Sequence, residues 1–322
     1  MSAGRSSSIS GRLLSSPREH SKGERHHPFS LYQSITPCDR ADGALWDHAV
    51  RAVINADIAG PPRPLEVVVH APQPTKSARY LADMTGAYAV PMLTVLVPWR
   101  PQPSRLDAFA RVVDWYRSNL GAVNIQAVDS HDVVFNLSQC RNLGVRSIKS
   151  ENEVVVINDA DTIPQLEPLL EAIAAASVTG LVHLPYTEYR WLGPVGMPEL
   201  EAGRAIEECS YELVRGACSG VYVTTPATWW SHGGQDERFR GWGFEDAAWN
   251  LAHETLLGEL PRRHAGQVFA LYHDQEQREG PNYEANAALM QQYRDAAVSP
   301  EAMDQFVRSD SNPERAFTLP GT

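Results

Sequence analysis

Val154-Val155-Val156-Ile157-Asn158-Asp159-Ala160-Asp161-Thr162-Ile163-Pro164 decides how the rest of the chain is read. Its first four residues form a short apolar run, as in a strand buried on both faces, and the acidic triplet stands where the chain leaves that strand. Pro164 and a helical spacing of Leu166, Leu169, Leu170 and Ile173 follow. Upstream, Met92 to Val97 is a similar run stopped by Pro98. Ser104 then offers an N-cap with Asp107 three residues on. Leu106, Phe109, Val113, Tyr116 and Leu120 alternate steps of three and four along one helical stripe. A strand from Val123 to Val128 ends at Asp129, and the segment Leu137 to Val145 leads back to Val154. Alternating strands and helices predict an α/β fold with a mostly parallel sheet flanked by helices. Ligands on such sheets lie beyond the carboxyl ends of the strands, where Asp129, Asp159 and Asp161 fall.

The 322 residues are 43% apolar with a formal net charge of -11, which suits a globular protein with a real core. Clustered cations that would grip phosphate backbones are missing, so a nucleic-acid partner is not expected. Lysine occurs only at Lys22, Lys76 and Lys149. Cys38, Cys140, Cys209 and Cys218 form no C-x-x-C pair, which argues against a structural zinc. No apolar stretch approaches the ~20 residues of a membrane span, and residues 1–28 lack the apolar core of a signal peptide. The expectation is a cytoplasmic protein with free thiols. Residues 1–28 read as a tail and 29–88 as an extension with a helix at Leu45–Ile58 and a strand at Leu65–Val69. Residues 89–300 form the main domain and 301–322 a C-terminal tail. Neither G-x-G-x-x-G nor a P-loop occurs.

Three constellations could carry chemistry. Asp159-x-Asp161 can turn two carboxylates toward a cation and its phosphates; the same triplet also reads as a polar cap. Gly241-Trp242-Gly243-Phe244-Glu245-Asp246 combines glycines that permit close approach, a flat apolar ring for a sugar and two carboxylates for a hydroxyl. It equally reads as a surface turn whose acids start the helix bearing Trp249, Ala252 and Leu256. His273 follows the strand-like Val268 to Tyr272 and is either a metal-binding imidazole or an ordinary histidine.

In this order the motifs resemble the metal-dependent glycosyltransferases of the nucleotide-sugar-binding (GT-A, Rossmann-like) fold. The likeness is closest to the β-1,4-galactosyltransferase group and extends more distantly to the polypeptide N-acetylgalactosaminyltransferases. It rests on Pro98-Trp99-Arg100, Phe135-Asn136 with Asn142-x-Gly144, Asn158 to Pro164, and Gly241 to Asp246. The similarity spans Met92 to Tyr283. It implies that Arg100 and Phe135 hold the nucleotide base, with Asp129 and Asp159 on the donor side. Asp161 and His273, with Asp159 beside them, would bind Mn²⁺ or another divalent cation. Trp242, Glu245, Gly220 and Gly243 would seat donor sugar and acceptor, and Asp246 would be the general base. Gln102, Leu137 and Ala270 depart from the group's residues. Ala217 and Cys218 replace bulky aromatics, which implies a roomier donor pocket that tolerates an N-acetyl group. The activity so implied is transfer of a hexose or N-acetylhexosamine from a nucleotide-diphosphate sugar, a UDP-sugar by resemblance, to an acceptor hydroxyl with inversion. The acceptor could be glycan, protein or small molecule, and the segment Asp274 to Tyr283 reads as a lid. Alternatives are a retaining transferase of the same fold, a metal-dependent nucleotidyltransferase and a non-catalytic carbohydrate-binding module.

Overall fold

Residues 65–66, 93–121, 123–273 and 279–309 are described by the computed structural model. The expected tail at 1–28, the helix at Leu45–Ile58, residues 67–92 and residues 310–322 lie outside them. The main sheet has the order β1-β3-β2-β4-β9-β6-β10. Its strands are β1 (Leu65–Glu66), β2 (Leu93–Pro98), β3 (Val123–Val128), β4 (Val155–Asn158), β6 (His183–Leu184), β9 (Val221–Thr224) and β10 (Arg262–Arg263). A second sheet has the order β5-β11-β7-β8, from Thr162–Pro164, Gln267–Ala270, Glu188–Trp191 and Glu212–Val214 respectively. The helices are α1 (Leu106–Leu120), α2 (Leu137–Arg146), α3 (Leu166–Thr179), α4 (Gly193–Glu201), α5 (Pro226–Ser231), α6 (Glu245–Leu257), α7 (Pro281–Ala296) and α8 (Pro300–Val307).

The parallel block β3-β2-β4 is the part that the apolar runs announced. The main sheet as a whole is mixed, because β9 pairs antiparallel with β4 and β6, and β1 antiparallel with β3. Val95 to Val97, Val155 to Ile157 and Val221 to Val223 are all essentially inaccessible. Each such side chain contributes about 1.5–3 kcal/mol by leaving water. Helix α1 buries Val113, Tyr116 and Leu120 of the expected stripe. It starts one residue later than the Ser104 cap predicts, since residues 103–105 form a 3-10 turn and Arg105 is the N-cap. Pro103 at the head of that turn fixes the tighter geometry before the helix can begin.

A second apolar cluster joins α6, α7 and α8 through Ala248, Ala252, Leu289, Met290, Tyr293, Met303 and Val307. The segment read as a C-terminal tail from 301 therefore begins as a packed helix. Ser299 caps it by accepting from the Ala302 N–H at 3.1 Å, Pro300 opens it, and Met303 and Val307 share its buried face. Among the described residues no helix is long and apolar enough to cross a membrane. Cys140, Cys209 and Cys218 are free thiols.

Candidate active site

The turn after β4 is fastened by its own sequence. Asn158 is buried, accepts from the Tyr116 hydroxyl at 2.7 Å and donates to the Asp159 and Thr162 carbonyls. Gly220, at φ 95°, offers its carbonyl to the Asp159 N–H and the Thr162 hydroxyl. A Cβ there would meet the Tyr189 ring at 2.9 Å, so the glycine is required for this close approach. Antiparallel pairing of β5 with β11, and the Leu271 N–H donating to the Asp161 carbonyl at 2.7 Å, bring the end of β11 alongside the triplet. His273 Nε2 consequently lies 2.7 Å from Asp161 Oδ2.

Asp159 points elsewhere, toward Arg141 of α2. The Arg141 guanidinium is wholly inaccessible and lies 2.6 Å from Asp159 Oδ1 and 2.5 Å from Asp246 Oδ1. It also donates to Gln235 Oε1 at 2.9 Å and sits 4.9 Å above the Tyr222 ring. Burial opposes its charge, but Asp159 and Asp246 outweigh burial and hold it protonated. Burial raises the Asp159 carboxyl to about 6, against the pull of Arg141 and with help from Asp246 and Asp161. Asp246 Oδ1 accepts two more bonds, from the Tyr222 hydroxyl at 2.5 Å and Gln235 Nε2 at 3.1 Å. One buried cation thus ties the end of β4 to the start of α6, with Arg141 and Asp246 lying 105 residues apart in sequence.

Glu245 is 8% exposed, and its Oε2 has no hydrogen-bond partner among the described residues. Burial first, then the neighbouring Asp246, push its carboxyl up to about 8, so it is held as the acid at neutral pH. The start of a helix favours an anion, but desolvation wins. The sign of the pH effect follows. Below the ordinary glutamate value of 4.5 both folded and unfolded chains keep this proton. As pH rises toward 8 the unfolded chain releases it and the folded chain does not, so its contribution to stability declines and then levels off. Glu245→Gln is expected to gain in melting temperature on the parent progressively through this window. A constant difference from pH 5 to 8 in thermal scans would refute the burial argument.

The segment Gly233 to Asp246 is held from two sides. On the α2 side, Asn142 donates to the Gln235 carbonyl and Glu237 Oε1, Asn136 to the Glu237 carbonyl and Gln139 to Glu237 Oε2. On the α7 side, the Tyr293 hydroxyl donates to Asp236 Oδ2 at 2.8 Å, and Asn286 grips the backbone around Gly241. Trp242 is 36% exposed and stacks on Tyr283. Gly243, at φ 108°, lies so close beneath the Tyr283 ring that a Cβ would come within 3.3 Å of it. Phe244 adopts φ 76°, the only non-glycine with positive φ among the described residues, and leans on Tyr283.

Arg100, Asp129 and Phe135 do gather beyond β2 and β3, but largely in each other's service. The Arg100 guanidinium bonds both Asp129 oxygens at 2.9 and 3.0 Å and the carbonyls of Ser130, Asp132 and Val133. Its carbon stands 5.6 Å from the Phe135 ring centre. The arginine shapes this loop and keeps few donors for a nucleotide base. Beside Ala217 and Cys218, Arg263 bonds the Ala217 carbonyl and lies over Tyr186, so a cation borders the space that the small residues were expected to open.

Among the described residues no group of three His, Cys, Asp or Glu side chains could hold a metal. The donor set for a cation is the pair Asp161 and His273, whose facing oxygen and nitrogen suit a hard or borderline divalent ion completed by phosphate and water. Asp159 is engaged by Arg141 instead. Residues 274–278 of the expected lid lie outside the described residues, and Pro281 to Tyr283 belong to α7. Arg141, Tyr222, Gln235, Tyr283 and Asn286 were not singled out from sequence. Arg141 stands next to Asn142-x-Gly144, the nearest signal that could have found it.

No family model and no curated protein match the sequence. Among solved structures, the catalytic domain of Drosophila β1,4-galactosyltransferase 7 in complex with xylobiose is similar at 17% identity. The likeness covers 61% of this chain and 79% of that chain, with a TM-score of 0.39. A mutant of the Drosophila enzyme in complex with manganese, UDP-Gal and xylobiose is 16% identical over 53% of this chain and 64% of that one, with a TM-score of 0.33. GalNAc-T7 with UDP, GalNAc and Mn²⁺ is 14% identical over 71% and 45%, with a TM-score of 0.38. The chain therefore spans less than two thirds of the second structure and less than half of the third. At these identities and TM-scores the likenesses say nothing of this chain's activity.

Proposed function

We propose that the protein is a glycosyltransferase that moves a hexose or N-acetylhexosamine from a nucleotide-diphosphate sugar, a UDP-sugar in the first instance, to an acceptor hydroxyl. The observation that carries this reading is the Arg141 bridge, which sets the strand-end triplet beside Glu245-Asp246 while Asp161 faces His273 at 2.7 Å. A structural cap or a plain surface turn has no need of a buried cation joining the two.

In this mechanism Asp161 and His273 hold a divalent cation such as Mn²⁺. When bound, that ion supplies Lewis-acid charge for the departing diphosphate. Asp246 takes the acceptor proton on Oδ2, since Oδ1 is occupied by Arg141, Tyr222 and Gln235. The acceptor oxygen forms its bond to the anomeric carbon as the bond from that carbon to the diphosphate oxygen breaks, with inversion. Nucleoside diphosphate leaves with the electron pair. Trp242 presents a flat apolar face to the acceptor, and Glu245, as the neutral acid, can donate a hydrogen bond to it.

The test is a panel of nucleotide sugars with Mn²⁺, read as nucleoside diphosphate released. Release that stops in excess chelator and returns with Mn²⁺ is the expected result. Pyrophosphate in its place points to a nucleotidyltransferase, and full turnover in chelator overturns the metal assignment. Asp161→Asn and His273→Ala should each weaken Mn²⁺ binding, read by electron paramagnetic resonance; because the two side chains are only 24% and 10% exposed and bond each other, a modest fall in melting temperature should accompany that loss.

A further inference from the structure

We infer that Asn286 is a positioning residue for the acid pair, holding the Gly241–Gly243 backbone so that Trp242, Glu245 and Asp246 face the acceptor together; this rests on the transferase reading above. Asn286 lies on α7, and its side chain is 2% exposed. Its amide donates to the Arg240 carbonyl at 2.9 Å and the Gly243 carbonyl at 3.1 Å. Its oxygen accepts the Arg240 N–H at 3.1 Å. One side chain thus satisfies three backbone groups of the turn, which is how a buried amide fixes a loop.

One turn earlier on α7, Tyr283 completes the grip. Its ring spans Gly243 and contacts both neighbours, at 6.4 Å between ring centres for Trp242 and 5.1 Å for Phe244. Phe244 is held at φ 76°, a conformation that costs a non-glycine residue energy and persists only where its surroundings impose it. The strained residue immediately precedes Glu245, so any slackening at Asn286 or Tyr283 is transmitted to the first turn of α6. The Asp161 and His273 pair is held by a different set of contacts, the pairing of β11 with β5 and β7 in the second sheet.

Asn286→Ala should therefore act on the acceptor side alone. Misplacing a reacting group by about an ångström costs on the order of 100-fold, so kcat/KM toward p-nitrophenyl glycoside acceptors is expected to fall about 10- to 100-fold. Binding of UDP with Mn²⁺, measured by calorimetry, should stay within about twofold by the same argument. A readout free of turnover comes from the fluorine spectrum of protein labelled with 5-fluorotryptophan. Of the eight tryptophan signals, the one that Trp242→Phe removes should shift or broaden in Asn286→Ala while the others hold. If Asn286→Ala does not fold, Tyr283→Leu takes its place with the same expectations. An unmoved Trp242 signal, an unchanged acceptor kcat/KM, or a parallel loss of UDP affinity overturns the inference. A parent protein that releases no nucleoside diphosphate overturns the transferase reading instead, and the Trp242 signal still decides whether α7 holds the loop.

Discussion

Asp246→Asn is expected to lower kcat by about 100- to 10,000-fold, the range that general-base catalysis contributes, with nucleotide-sugar affinity nearly unchanged. The substitution is isosteric, and an amide oxygen can still accept from Arg141, Tyr222 and Gln235 on the inner side. What the amide cannot do is take a proton on its outer side. Its loss of charge also leaves Arg141 with Asp159 as its one full counter-ion, so a modest fall in melting temperature should accompany the kinetic loss. Glu245→Gln discriminates the alternative base. If Glu245 takes the proton, its variant loses the larger factor and Asp246→Asn the smaller. If both acids merely begin α6, neither variant loses more than ~1 kcal/mol of stability and turnover survives in both. Steady-state kinetics on the two variants, with donor binding measured separately, separates the three cases, and near-normal turnover by Asp246→Asn ends its assignment as base.

The outline of the fold was legible where burial dictates a simple pattern. Val95 to Val97 and Val155 to Ile157 are fully buried and read as continuous apolar runs, and α1 and α3 carry stripes at helical spacing. Strand β9 was not legible. Its four residues, Val221 to Thr224, insert antiparallel between β4 and β6, and nothing local tells an antiparallel insertion from a parallel continuation. Helix α8 was read as tail because two turns of Met303, Phe306 and Val307 are too short to declare themselves without the cluster they complete. At the site, the carboxylates stood out through the order of the motifs that carry them, since the triplet alone also reads as a polar cap. Their partners did not. Helix α2 and its N-cap bury Asn136, Ser138, Gln139, Arg141 and Asn142, polar residues to which sequence alone assigns no buried role. Those side chains are buried because Gln235, Glu237, Asp159 and Asp246 come to meet them from distant positions, and no local pattern encodes such pairing. The nucleotide role of Arg100 is what the resemblance through Pro98-Trp99-Arg100 implies, and the loop from Asp129 to Val133 uses most of that side chain's donors.

Arg141 should therefore be the residue whose loss couples stability and activity most tightly. Arg141→Met removes the shared counter-ion of two carboxylates whose side chains are only 17% and 21% exposed. Breaking a buried pair in this way costs about 3–5 kcal/mol, because the stranded charges remain in a poorly solvated place. Arg141→Lys keeps the charge, but a single ammonium cannot reproduce a fork that meets Asp159 with one arm and Asp246 and Gln235 with the other. It should retain more stability than the methionine variant and still lose on the order of 100-fold in kcat/KM through misplacement of Asp246. Chemical denaturation and kinetics at a temperature where every variant is folded provide the comparison. A further combination isolates the cause. Adding Asp159→Asn and Asp246→Asn to Arg141→Met removes the stranded charges together, so stability should recover substantially. Activity should not recover, since the base is gone. Recovery of neither would mean that Arg141 acts through packing on Tyr222 and not through its charge. Full activity in Arg141→Lys would detach the bridge from the chemistry altogether.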